Sequence, residues 1–131
     1  MARHLMLAAA LDDTTLFVCT TCRGPGRVDD GGKVLAAQLA TIATEPAYGA
    51  IAVVPVECLW SCAQGVSVQL RGPAKIGYVM GGFVADDARD LLDFAVAHTV
   101  SVDGVVPYDR WPDGVRGRFI ARTPPARTTF G

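Results

Sequence analysis

Two tight cysteine pairs carry the chemistry of this sequence: Cys19-Thr20-Thr21-Cys22 and Cys58-Leu59-Trp60-Ser61-Cys62, with thirty-five residues between them. A C-x-x-C pair sets two sulfurs on one turn, and C-x-x-x-C does so on a slightly wider loop. Four soft thiolates delivered by two loops suit zinc or an iron–sulfur centre and not magnesium or calcium. In a reducing cytoplasm, cysteines spaced this closely point to metal or redox chemistry rather than to structural disulfides. A C-x-x-C after a first strand is also a dithiol–disulfide signal. That chemistry wants the first cysteine at a helix amino terminus, whereas about ten loop residues separate Cys22 from the next expected helix.

The elements that must position the cysteines follow from periodicity. Leu16-Phe17-Val18 reads as a strand running into Cys19. Residues 23–32 hold Gly24, Pro25, Gly26, Asp29, Asp30, Gly31 and Gly32 and read as a loop. A helix is expected over 33–44, with Val34, Leu35, Leu39 and Ile42 as its apolar stripe and Pro46 and Gly49 beyond its end. Residues 50–56, continuous and β-branched, predict a strand buried on both faces that delivers the chain to Cys58. Residues 66–70 and 75–80 predict a hairpin through the Arg71-Gly72-Pro73 turn, and residues 83–99 a second amphipathic helix. Both cysteine pairs then fall at carboxyl ends of strands, where open α/β sheets place their sites.

Length and composition predict one packed domain: 131 residues, 50% hydrophobic and 19% charged. A formal net charge of −1 gives no reason to expect nucleic acid or a membrane as partner. No apolar run approaches the roughly 20 residues that span a bilayer. Residues 1–13 read as a leading extension or added strand rather than a signal peptide, because Asp12-Asp13 closes the short apolar run. Residues 14–100 form the expected cluster-binding domain, and 101–131 an irregular, Arg-rich segment packed on it. Five arginines against Asp113 in 110–131 follow six aspartates against Arg89 in 86–109. This reads as solvated charge, with a docking patch for an acidic protein or anionic ligand as the sharper alternative.

The order β–C-x-x-C–loop–α–β–C-x-x-x-C–β–β–α resembles the thioredoxin-like [2Fe–2S] ferredoxins, most closely from Val53 to Gly65. The stretches LFVCTTCR, ECLWSC and SVDGVVPYDRWP resemble, over roughly residues 14–125, a bacterial family usually labelled "predicted metal-binding protein" that is sometimes found with cobalamin-pathway genes. The resemblance implies a thioredoxin-like α/β fold in β-α-β-β-β-α order, a central sheet of about four strands and two helices. It implies one [2Fe–2S] cluster on Cys19, Cys22, Cys58 and Cys62, two cysteines to each iron. Cys58 and Cys62 match the last two ferredoxin ligands. Cys19 and Cys22 are spaced more tightly than the first two usually are, a spacing that also suits mononuclear zinc or iron.

The expected function is single-electron transfer to a partner enzyme, in cobalamin or other metal-cofactor metabolism, from a cytoplasmic protein. Related ferredoxins often dimerise, which adds a homodimer to the expected partners. The alternatives are a zinc-stapled interaction module, with the Arg-rich tail as its surface, and a dithiol–disulfide oxidoreductase. No triad, paired-carboxylate site, phosphate loop or nucleophile elbow is legible, so the reading is an electron carrier rather than a catalyst. Around the cysteines, Trp60 is expected as a hydrophobic lid or core contact, and Arg23, Arg27 and Glu57 as loop charges. Neither histidine adjoins a cysteine pair: His4 is in the leading segment, and His98, at the end of the second helix, reads as a terminal cap.

Overall fold

The computed structural model describes residues 14–21, 30–57 and 65–125. In chain order the elements are β1 (Thr14–Cys19), α1 (Gly31–Ile42), β2 (Ile51–Val56), β3 (Val68–Arg71), β4 (Gly77–Met80), α2 (Ala88–Val100) and β5 (Phe119–Thr123). They form one mixed sheet in the order β2-β1-β3-β4-β5. β1 and β2 run parallel through the α1 crossover, from Thr14 opposite Ile51 to Cys19 opposite Val56. The remaining neighbours are antiparallel. The two helices pack on each other and against β1 and β2. Among the described residues no helix is long and apolar enough to cross a membrane.

The core lies between helices and sheet. Leu16 and Val18 of β1, Val68 and Leu70 of β3, Tyr78 and Met80 of β4, Leu35 and Leu39 of α1, and Leu91, Leu92, Phe94 and Ala95 of α2 are fully or almost fully buried. Tyr78 is its hub. Its ring meets Phe94, His98, Trp111 and Phe119 edge-on, at centroid distances of 5.2–6.3 Å. Its hydroxyl accepts the Val106 N–H at 3.2 Å. Each such ring pair adds about 0.5–1.5 kcal/mol beyond area burial.

Several expectations need correction. The sheet has five strands, not four: the segment expected to be irregular supplies β5. Phe-Ile-Ala-Arg-Thr is strand-like, but five residues between Arg118 and Pro124 leave too short a pattern to stand out. Tertiary contacts stabilise it: Phe119 packs on Tyr78 and Trp111, and the Arg122 guanidinium lies over the Tyr78 ring. β2 is an edge strand rather than one buried on both faces, and only Ile51 in it is buried. Pro55, exposed within it, is the residue that signals this, because proline lacks the N–H that a central strand needs.

α1 begins at Gly31 rather than Lys33, absorbing two glycines that read as loop. α2 begins at Ala88, after a 3₁₀ turn over Ala85–Asp87. Phe83, expected in that helix, is a fully buried core residue ahead of it, with Arg118 over its ring.

The aspartates of the acidic stretch are tied down rather than uniformly solvated. Asp93 accepts the Tyr48 hydroxyl at 2.6 Å, and Asp90 the Gly114 N–H at 2.8 Å. Asp87 accepts the Val84 N–H at 3.0 Å and lies 3.7 Å from Arg118, which also donates to the Gly82 carbonyl. The basic segment is thereby fastened to the acidic one.

His98 is not a helix cap. It is fully buried, and its Nε2 donates to the Ile76 carbonyl at 2.7 Å while Nδ1 faces the Thr14 hydroxyl at 3.5 Å. The cap is Lys75, whose Nζ donates to the carbonyls of His98 and Thr99 at 3.0 and 2.5 Å, positive charge against the helix carboxyl terminus. Burial holds the His98 pKa below the usual histidine range. The Ile76 hydrogen bond opposes the shift, and the Lys75 charge adds to it. A base with a lowered folded pKa takes up protons more readily unfolded. Its contribution is therefore complete above about pH 6.5 and is lost as pH falls towards the folded pKa. Urea unfolding measured from about pH 7.5 down to about pH 5.5 is expected to lose stability over that window. His98→Gln, which keeps a donor for Ile76, is expected to be less stable at neutral pH and to flatten the slope. An unchanged slope in the variant would assign it to other groups.

Candidate metal centre

Of the four candidate ligands, the described residues include Cys19. Cys22, Cys58 and Cys62 lie outside them, as do Trp60, Arg23, Arg27 and His4. Among the described residues no three His, Cys, Asp or Glu side chains gather around one point. The described flanks nevertheless show how both cysteine loops are launched.

Cys19 closes β1 and is fully buried. Its N–H donates to the Ser67 carbonyl at 3.0 Å, which binds the strand end to the stretch re-entering after the second cysteine loop. Its Sγ faces the Glu57 carbonyl at 3.5 Å and the Thr21 hydroxyl at 3.6 Å. Thr20 donates twice to the Val56 carbonyl, from its N–H at 2.8 Å and its hydroxyl at 2.9 Å. The Thr21 hydroxyl donates to the Glu57 carbonyl. Thr21 immediately precedes Cys22 in the sequence, and Glu57 immediately precedes Cys58. A residue inside the first motif is thus hydrogen-bonded to the residue just before the second, beside buried Cys19. By softness and count, the four cysteines of the sequence are a donor set that would suit zinc or an iron–sulfur cluster.

Glu57 is exposed, in keeping with a loop carboxylate. The threonines and Gly32 are the residues that motif reading passed over. Two hydroxyl residues inside a C-x-x-C are a visible signal, because Thr readily bonds nearby main chain. Gly32 is subtler. It sits in the first turn of α1, and a Cβ built there would collide with the Cys19 carbonyl and crowd the Thr20 carbonyl carbon at 3.1 Å. The helix start, distant from Cys22 in sequence, is therefore packed directly on the Cys19 main chain. Gly32→Ala should shift the end of β1 and destabilise the fold by about 1–3 kcal/mol. Unfolding midpoints of the purified variant check this; a wild-type midpoint would mean that the contact relaxes freely.

The fold has solved counterparts. The thioredoxin-like [2Fe–2S] ferredoxin from Aquifex aeolicus aligns with a TM-score of 0.53 and 20% identity, covering 89% of this chain and 99% of that one. The wild-type form of the same ferredoxin, in a second structure, gives 0.54 and 20% over 84% and 98%. A cysteine-to-serine variant gives 0.51 and 19% over 82% and 98%. At such identity the likeness is one of fold. No curated protein matches the sequence. A family model described as a protein of unknown function, DUF1636, matches residues 16–125, and the chain belongs to that family.

Proposed function

We propose that the chain is a ferredoxin-like protein that holds one [2Fe–2S] cluster on Cys19, Cys22, Cys58 and Cys62, two cysteines to each iron. Bound there, the cluster supplies a one-electron couple. The observation that carries this reading is the junction of Thr21 with Glu57 beside buried Cys19, which starts both cysteine loops from one point. The shared fold with a [2Fe–2S] ferredoxin supports it. The protein's part is to exclude water from Cys19, fix the spacing of the loops and present the surface that selects a redox partner. The sequence resemblance directs the search for that partner to enzymes of cobalamin and other metal-cofactor metabolism in the cytoplasm, and adds a homodimer as the assembly to test.

Burial of Cys19 weighs against the dithiol alternative. A thiol that attacks an external disulfide must be reachable as a thiolate, and Cys19 has no exposed surface. Attack would fall to Cys22, with Cys19 left to resolve the mixed disulfide. A metal ligand has no such need for access.

The purified protein is expected to be red-brown, with about two irons and two labile sulfides per chain and an EPR signal on reduction. Cys22→Ala and Cys58→Ala should each abolish the visible absorbance. A colourless, zinc-loaded protein would replace this reading with the zinc-stapled module, and reversible dithiol turnover without metal would replace it with the oxidoreductase.

A further inference from the structure

We infer that Thr21 is a positioning residue, a latch whose hydroxyl fixes the spacing between the two cysteine loops. Main-chain pairing of β1 with β2 carries as far as the Thr20 N–H on the Val56 carbonyl, the last such bond between the two segments among the described residues. The Thr21 side chain extends the pairing one residue further, onto the Glu57 carbonyl, at the point where the chains continue into Cys22 and Cys58.

A second contact gives the latch its chemical meaning. The Glu57 carbonyl lies 3.5 Å from Cys19 Sγ, and the Thr21 hydroxyl 3.6 Å from the same sulfur. A metal-bound thiolate carries no proton to offer that carbonyl. The Thr21 hydroxyl is a donor within reach of both the carbonyl and the sulfur. It therefore holds Glu57 in place when Cys19 is a ligand and keeps a carbonyl oxygen from facing anionic sulfur uncompensated. The consequence for a bound cluster rests on the proposed function; the geometry of the latch does not.

Thr21 is exposed, so water competes for its hydroxyl and the effect is modest. Loss of one such hydrogen bond changes an equilibrium by about two- to tenfold. The test is the effective molarity of disulfide formation between Cys22 and Cys58, measured against glutathione in the metal-free full-length chain carrying Cys19→Ser and Cys62→Ser. Cobalt(II) affinity of the metal-free chain with all four cysteines gives a second readout should that background fold poorly. Thr21→Val is expected to lower both by about two- to tenfold, and Thr21→Ser to restore both. Values for Thr21→Val equal to the reference in the cysteine pairing, or in cobalt affinity where the pairing background does not fold, overturn the latch. Iron and sulfide analysis of the native protein separates the two claims. A native protein without iron or sulfide that still shows the Thr21 dependence keeps the latch and refutes the cluster. A cluster-bearing protein indifferent to Thr21→Val does the reverse.

Discussion

The parallel pairing of β1 with β2 is the constraint on which the rest of the structure depends. Parallel neighbours end at the same edge of a sheet, so the segments that follow them leave from adjacent points. Cys19 opposite Val56 sets that edge, and the double donation from Thr20 to the Val56 carbonyl holds it. Had the strands been joined as a hairpin, the two motifs would leave from opposite ends. The parallel arrangement demands a crossover, and α1 supplies it. Its first turn, with glycine at position 32, closes on the Cys19 main chain, so the connection also braces the end of the strand it began from.

The scaffold away from the cysteines is stabilised by a different set of forces. Apolar burial between the helices and the sheet contributes most, and the aromatic group around Tyr78 joins β4, α2 and the carboxyl-terminal segment. Trp111 adds a hydrogen bond from Nε1 to the Val106 carbonyl at 2.8 Å. The Ser101–Val105 turn is closed by Ser101 and Asp103, and Gly104, at φ +85°, lets it pack against the Ile76 main chain. The stretch SVDGVVPYDRWP is thus accounted for by a turn and a ring stack. By contrast, the Arg89–Glu45 pair at 2.9 Å joins two largely exposed side chains and contributes little to the fold.

Much of the fold was legible in the sequence, and the failures share a cause. Both helices, the hairpin and the first two strands follow from local periodicity, which reports what a segment does on its own. The edge position of β2, the existence of β5 and the buried role of His98 depend on partners far away in the chain, which periodicity does not register. Pro55 was the one local clue to an edge. His98 had none, since its partners Thr14 and Ile76 lie 84 and 22 residues away. For the site, spacing singled out the four cysteines, but not the residues that bring their loops together. Gly31-Gly32 read as a helix breaker because a glycine needed for close approach looks the same in sequence as one needed for flexibility.

The two layers of support have a consequence for how a centre at this edge behaves. Up to Thr20 the cysteine edge is held by main-chain ladder bonds and by packing of Gly32, and beyond it by side-chain hydroxyls at an exposed position. On the proposed reading, a centre here would combine one ligand buried at a strand end with others from the motif residues that follow in the sequence. Cys19, fixed by the Ser67 carbonyl and shielded from water, can set position and local dielectric. An electron carrier needs both properties: a low-dielectric anchor that limits reorganisation, and an edge near enough to solvent for a partner to reach. The parallel strands bring the buried strand end at Cys19 and the exposed residues Thr21 and Glu57 within a few residues of each other, which suits the carrier proposed above.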